Sequence, residues 1–286
     1  METTLIQRAA RNLSTIFDAW NEFSNDEVSF DTHPNKFPNY SPLGSGSDFW
    51  SMLQHAGIAS TDFWYEAQKI DYSNYPLYHS AYENIFAVKN IIDRGYLTNS
   101  GMAKLYTELA RSFADSEILP FDFGYYGDRV AYDSEKFFAI EGRERKFSDI
   151  YSLNMTHFRN VLNDFITVIK EFQYNVDLIK DSDDRKSKNL VLKIRQINDI
   201  YMNFEKLFLF DNTKYFEDKH LLYAQSQSNS YGMTIFPTLD DHFFSGLNDC
   251  YLECVSKNMK IQYSIICSKI EGATYVIKKA TKVLFL

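Results

Sequence analysis

Phe158-Arg159-Asn160-Val161-Leu162-Asn163-Asp164-Phe165-Ile166-Thr167-Val168-Ile169 brings an apolar residue back every three or four positions, and Phe172 extends the series. That period is the 3.6-residue repeat of an amphipathic helix, so 155–180 is predicted to be one long helix. The polar run Asp181-Ser182-Asp183-Asp184-Arg185-Lys186-Ser187-Lys188 follows as a charged turn. Residues 190–210 and 238–284 repeat the helical pattern, interrupted in the second case by Gly246 and Gly272. Residues 211–237, including Gln225-Ser226-Gln227-Ser228-Asn229-Ser230-Tyr231-Gly232, are predicted to be irregular and polar, with no strand beyond about 147. Three or four long helices joined by turns make a bundle. Their apolar faces are wider than one helix pair covers, which points to a partner subunit.

Upstream of 147 the pattern is mixed. Leu5, Ile6, Ala9, Leu13, Ile16, Phe17 and Trp20 fall at helical spacing, predicting a helix over 5–23. Residues 24–47 hold three prolines together with Gly44 and Gly46 and read as a long irregular loop. Ser47 or Asp48 is placed to cap a short helix beginning at Phe49. Gly57-Ile58-Ala59-Ser60-Thr61-Asp62-Phe63-Trp64-Tyr65 is short, apolar and aromatic, and predicts a strand. Helices are predicted over 81–95 and over 101–116, the latter capped by Thr98. Residues 124–146 are polar and dotted with glycine, and a domain boundary is placed there, giving domains 1–146 and 147–286.

Composition narrows the function. The chain has 286 residues, 24 Phe and 20 Tyr, enough for a large packed core. A net charge of −8 without a basic cluster leaves no footprint for nucleic acid. No apolar run of about 18 residues is present, so no membrane span is expected. Of the 3 cysteines, Cys250 and Cys254 share a helix face without a second ligand pair. They read as small buried side chains, not as a zinc site. Asn12-Leu13-Ser14, Asn39-Tyr40-Ser41 and Asn154-Met155-Thr156 are glycosylation sequons that would permit a secretory location.

One stretch concentrates chemistry: Tyr75-Pro76-Leu77-Tyr78-His79-Ser80. Pro76 fixes its own φ and drives Tyr75 towards an extended backbone. His79 offers a neutral imidazole nitrogen, the commonest metal-ligating group. Tyr75 and Tyr78 offer phenolic donors for a carboxylate or an oxyanion. A histidine beside aromatics also reads as a hydrogen-bonded core residue.

Several blocks in a fixed order carry a resemblance. Leu43-Gly44-Ser45-Gly46-Ser47-Asp48-Phe49, Gly57-Ile58-Ala59-Ser60, Tyr75-Pro76-Leu77-Tyr78-His79-Ser80 and Leu119-Pro120-Phe121-Asp122 resemble the glutamate carboxypeptidase II-like proteins (N-acetylated-alpha-linked acidic dipeptidases). These form the transferrin-receptor-like branch of the M28 zinc peptidases. Leu222-Tyr223-Ala224, Asn229-Ser230-Tyr231 and Phe236-Pro237 resemble the family's C-terminal helical dimerisation domain. The implied fold is an α/β remnant, the C-terminal part of a mixed sheet with flanking helices, followed by an all-α dimerisation bundle. The implied activity is peptide hydrolysis by metal-activated water at two zinc ions. The implied partners are a peptide substrate and a second copy of the chain. Family members are usually type II membrane proteins with the peptidase outside the cell.

By this resemblance His79 matches the last zinc ligand, and Tyr78 matches the group that holds the tetrahedral intermediate. Tyr75 and Tyr231 match groups that bind the substrate's terminal carboxylate, and Ser45, Gly46 and Ser47 match the loop lining the cleft. The other four zinc ligands and the general-base Glu would fall upstream of Met1. The chain alone is therefore expected to be catalytically silent and not to hold zinc stably. Asp62 and Trp64 stand where glutamate-specific members carry arginines, Ser230 where they carry a lysine, and Ser47 where they carry an asparagine. The alternative reading is a non-catalytic interaction protein of the transferrin-receptor kind.

Overall fold

A computed structural model describes residues 43, 45–65, 77–180, 188–210, 219–226, 229–244 and 249–285. The expected helix over 5–23 and most of the 24–47 loop lie outside the described residues, as do Gly44 and Tyr75. Two compact units emerge, one taking in Asp62–Ser116 and the other Ser41–Thr61 with Glu117–Leu286.

The first unit contains α2 (Ile85–Ala87), prolonged by a π-helical turn (Val88–Ile92), and α3 (Leu97–Asp115). Asn84 starts α2 by accepting from the Ala87 N–H at 3.1 Å. The helix predicted over 81–95 is thus only these two turns long. Asp93 stops it: its carboxylate turns back to accept from the N–H groups of Thr98 at 3.1 Å and Asn99 at 2.9 Å. The Asp93 carboxylate thus meets the first free N–H groups of α3, the role expected of Thr98, which instead lies within the helix and is itself a donor. Burial works against the charge on Asp93, but the Asn99 and Thr98 donors outweigh it and hold the carboxyl well below its usual range. The strand predicted over Gly57–Tyr65 is absent: these residues belong to no helix or strand. Their apolar content passed for β-propensity, but no strand among the described residues pairs with them.

The second unit is built around α6 (Met155–Lys180), which is buried along the face expected from its spacing: Phe158, Val161, Leu162, Phe165, Val168, Ile169 and Phe172. Asn154 begins it, accepting from the His157 N–H at 2.9 Å. α4 (Phe123–Ala139) and α9 (Asp249–Phe285) pack on either side of α6. Residues 124–146, read as a polar stretch, therefore contain a helix of the bundle. Its Val130, Phe137 and Phe138 point inward, and Asp122 caps it by accepting from Tyr125 N–H at 2.9 Å. Gly127 sits where α4 passes close to α6, and a Cβ there would meet the Ile169 side chain at 3.2 Å, a tight contact that Ile169 would have to shift to relieve. α5 (Arg143–Arg145) runs into a π-helical turn (Lys146–Ile150), and α7 (Lys188–Asn203) leads to a 3₁₀ turn (Glu205–Phe208).

Aromatic side chains fill the centre. Phe204 lies against Phe123 (ring centroids 4.2 Å) and over Phe165 (6.2 Å, nearly parallel), while Phe236 meets Phe137 at 5.3 Å and Phe158 at 4.9 Å. Each such ring removes 150–250 Å² from water. One buried amide is fully used among them. Gln173 accepts from the Phe123 N–H at 2.9 Å and the Tyr201 hydroxyl at 2.8 Å, tying three helices together.

The 211–237 segment is not wholly irregular. β1 (Tyr223–Ser226) and β2 (Asn229–Ile235) form an antiparallel hairpin with Tyr223 opposite Ile235 and a bulge between Ala224 and Ser226. It is the only sheet among the described residues. The polar Gln/Ser/Asn run concealed it, because the buried Tyr223, Ala224 and Ile235 lie at the end away from the turn, outside that run. α8 (Pro237–Phe244) follows through Phe236, whose φ of +52° is held by complete burial of its ring.

Arg143, at 1% exposure, forms an ion pair with Asp240 of α8 at 2.6 Å and lies over the Phe137 ring at 4.2 Å. Removing one partner strands a buried charge. Asp240→Ala is therefore expected to cost about 3–5 kcal/mol, read as a fall in the urea midpoint at constant slope. The double replacement Arg143→Met with Asp240→Leu should recover most of that loss.

Candidate functional site

The candidate residues are divided between the two units. In the first, Leu77–Ser80 form a turn closed by the Ser80 N–H on the Leu77 carbonyl at 3.0 Å. His79 takes a φ of +59°, unusual for a side chain with a Cβ. Its N–H donates to the Glu83 carboxylate at 2.9 Å, which holds that conformation in place. The imidazole is exposed and stacks on the Tyr78 ring, centroids 3.9 Å apart and 18° from parallel. It is not the hydrogen-bonded core histidine that the sequence left open. Asp62 is half-buried and Trp64 exposed on the same unit.

Whether these residues fit a zinc ion can be tested on the donor set. Among the described residues, no group of three His, Cys, Asp or Glu side chains is close enough together to hold a metal. One exposed imidazole does not make a zinc site, so the residues described do not fit the metal by themselves. Cys267 is buried, and burial first of all pushes its thiol up to about 11, leaving it neutral and a poor ligand.

In the second unit, Ser45, Gly46 and Ser47 lead into α1 (Phe49–Ser51) and a π-helical turn (Met52–Ala56). Neither Ser47 nor Asp48 caps through its side chain. Instead the Ser47 carbonyl accepts from Trp50 N–H at 3.1 Å, and the Asp48 carbonyl accepts from the Ser51 hydroxyl at 3.2 Å. Gly57 ends the turn at φ +62°, and a Cβ there would approach Lys206 to 2.7 Å. This loop is seated on the hairpin. Ser45 accepts a hydrogen bond from Gln225 of β1. Tyr231 lies on β2, so Ser45–Ser47 and the strand bearing Tyr231 belong to one unit. Tyr75 is outside the described residues.

The loop also brings in residues that the sequence reading missed. Gln54, 1% exposed, donates to the Tyr223 carbonyl at 3.0 Å and accepts from the His220 N–H at 3.2 Å. His220 accepts from Tyr223 N–H on Nδ1 at 3.0 Å, so Nε2 carries the proton that faces Glu205 at 2.8 Å. The Tyr223 hydroxyl donates to Asp133 at 3.0 Å, and Asp133 pairs with Arg129 at 2.7 Å. Burial, reinforced by Asp133, pushes the Tyr223 phenol well above its usual range. The Tyr126 hydroxyl is buried beside them with no hydrogen-bond partner among the described residues, and burial raises it likewise. The available signal was weak: a lone Gln beside Leu53, and a lone His before Leu221 and Leu222.

Comparison with known proteins places these features. Residues 153–284 match the transferrin receptor-like dimerisation domain. A rat protein named aminopeptidase NAALADL1 is 24% identical over 289 residues, covering 93% of this chain and 34% of its own length. A Caenorhabditis elegans protein named glutamate carboxypeptidase 2 homolog is 22% identical, covering 90% and 34%. An Arabidopsis thaliana protein named probable glutamate carboxypeptidase LAMP1 is 27% identical, covering 69% and 26%. The chain spans about a quarter to a third of the length of these curated relatives. Among the described residues no helix is long and apolar enough to cross a membrane. The chain is thus similar to part of proteins named glutamate carboxypeptidases and aminopeptidase NAALADL1, with residues 153–284 matching the transferrin receptor-like dimerisation domain.

Proposed function

We propose that this chain is the C-terminal portion of a glutamate carboxypeptidase-like zinc metallopeptidase and that it pairs two-fold through its helical bundle. In this reading 1–146 is the end of the peptidase domain, including the last part of its mixed sheet, and 147–286 is the dimerisation domain. The observation that carries it is the similarity to carboxypeptidase- and aminopeptidase-named proteins, which runs past the dimerisation-domain match into the N-terminal half. The exposed His79 with Tyr78 stacked on it supports roles for both at a metal-dependent site. The seating of Ser45 on the hairpin that holds Tyr231 supports a shared role in binding a substrate's terminal carboxylate.

The chain by itself is proposed to be silent, since one imidazole does not hold zinc. The test is hydrolysis of N-acetyl-aspartyl-glutamate by the purified 286-residue chain with and without added zinc. The expected result is no turnover above buffer and no stoichiometric zinc after dialysis. Chelator-sensitive turnover would overturn this. For a complete protein carrying this portion, preference is expected to move from glutamate towards neutral, aromatic C-terminal residues. Asp62, Trp64 and Ser230 supply none of the cationic groups that a glutamate side chain would meet, each worth about 1.5–3 kcal/mol. Retained preference for the acidic dipeptide over a neutral aromatic one would sink that reading.

The second reading is a non-catalytic interaction protein. The match of residues 153–284 to the transferrin receptor-like dimerisation domain is compatible with it. Both readings need the bundle to pair. Sedimentation velocity of the chain at roughly ten micromolar should give a dimer with an interface above about 1,000 Å². A clean monomer at that concentration would remove the dimer from both.

A further inference from the structure

The loop 45–57 is fixed by contacts to residues far away in sequence. Gln54 reaches partners 166 and 169 positions away, His220 and Tyr223, using both ends of its amide. Its Nε2 donates to a strand carbonyl, and its Oε1 accepts from the backbone N–H that begins the approach to β1. Both bonds are buried, where an unmet amide costs far more than in water. Gly57 allows the loop to lie against the Lys206 backbone, and Ser45 reaches Gln225 at its other end. Between these anchors lie short-range contacts within the turn, among them Ser51 to Asp48 and the edge-on contact of Trp50 and His55 at 4.8 Å.

We propose that Gln54 is a positioning residue that holds the Ser45–Ser47 loop on the hairpin, so that the loop and the strand bearing Tyr231 move as one body. Calling the loop part of a substrate site rests on the proposed function, but the coupling itself does not. A ligand that draws on β2 then also sets the loop. A distortion of the hairpin by the bundle reaches Ser45–Ser47 through one amide side chain.

The test uses the full chain with Trp20→Phe and Trp64→Phe, leaving Trp50 as the single tryptophan. Gln54→Leu keeps volume and removes both hydrogen bonds. Gly57→Ala pushes on the same loop without touching those bonds. Hydrogen exchange is expected to show protection over 45–58 falling tenfold or more in Gln54→Leu. Acrylamide quenching of Trp50 should rise at least twofold, while α6 and α9 keep their protection. Gly57→Ala should reproduce the local release. Unchanged protection over 45–58 in Gln54→Leu would overturn the proposal. So would a uniform loss across α6 and α9 in both variants, which would make Gln54 an ordinary core residue. Sedimentation of the same samples reads the dimer separately, so failure of the proposed function is distinguishable from failure of the clamp.

Discussion

The Arg143–Asp240 pair is the constraint on which the second unit turns. The two residues are 97 positions apart, and both side chains are almost fully buried. Burial pulls the guanidinium down from its ordinary range, and the carboxylate beside it offsets part of that. Such a pair adds little net stability over apolar residues of the same volume. Its value is in selection. Gly142, at φ +77°, turns the chain so that Arg143 enters the core, and the first turn of α8 must then present Asp240 to it. Any other seating of α8 gives up this short buried ion pair. Since α8 follows β2 directly through Phe236, the pair also fixes where the hairpin closes on α4.

The two units differ in how far they satisfy this logic. In the second, aromatic rings from four segments interlock, and Gln173, Tyr201, His220 and Tyr223 each find partners. In the first, Ala87 is the only buried apolar residue among those described, while Trp64, Ile85, Phe86 and Ile91 are each more than 60% exposed. The stripe of Met102, Leu105, Leu109 and Phe113 on α3 is only half covered. A segment that buries so little does not offset its own chain entropy.

What could be read from the sequence follows the strength of periodicity. The α6 run names its own buried face almost residue by residue, because Phe158 to Phe172 repeats at 3.6 over four turns. α4 was hidden. Gly124 and Gly127 look like loop residues, yet both lie in α4, and Gly127 faces the Ile169 side chain closely. The hairpin was hidden by its polar composition and by a bulge that breaks the alternation. Gly57–Tyr65 misled in the opposite direction, since β-branched and aromatic content describes a fit to a neighbouring strand, and none pairs there. Of the site, Tyr78 and His79 were visible as a motif. Gln54 was not, because its partners lie more than 160 residues away and no local pattern announces them.

A two-stranded hairpin is marginal in water on its own. Here Tyr223 is held by Asp133 of α4, by Gln54 and by His220, and Phe236 is clasped between Phe137 and Phe158. The backbone of β2 therefore takes its position from the bundle, and Ser45 takes its position from β1. A helical domain matched to dimerisation thus also sets the coordinates of groups far upstream in the chain. That arrangement has a physical economy. Loops are mobile unless something rigid carries them, and the most rigid body available to residues 45–57 is the aromatic core between α4 and α6.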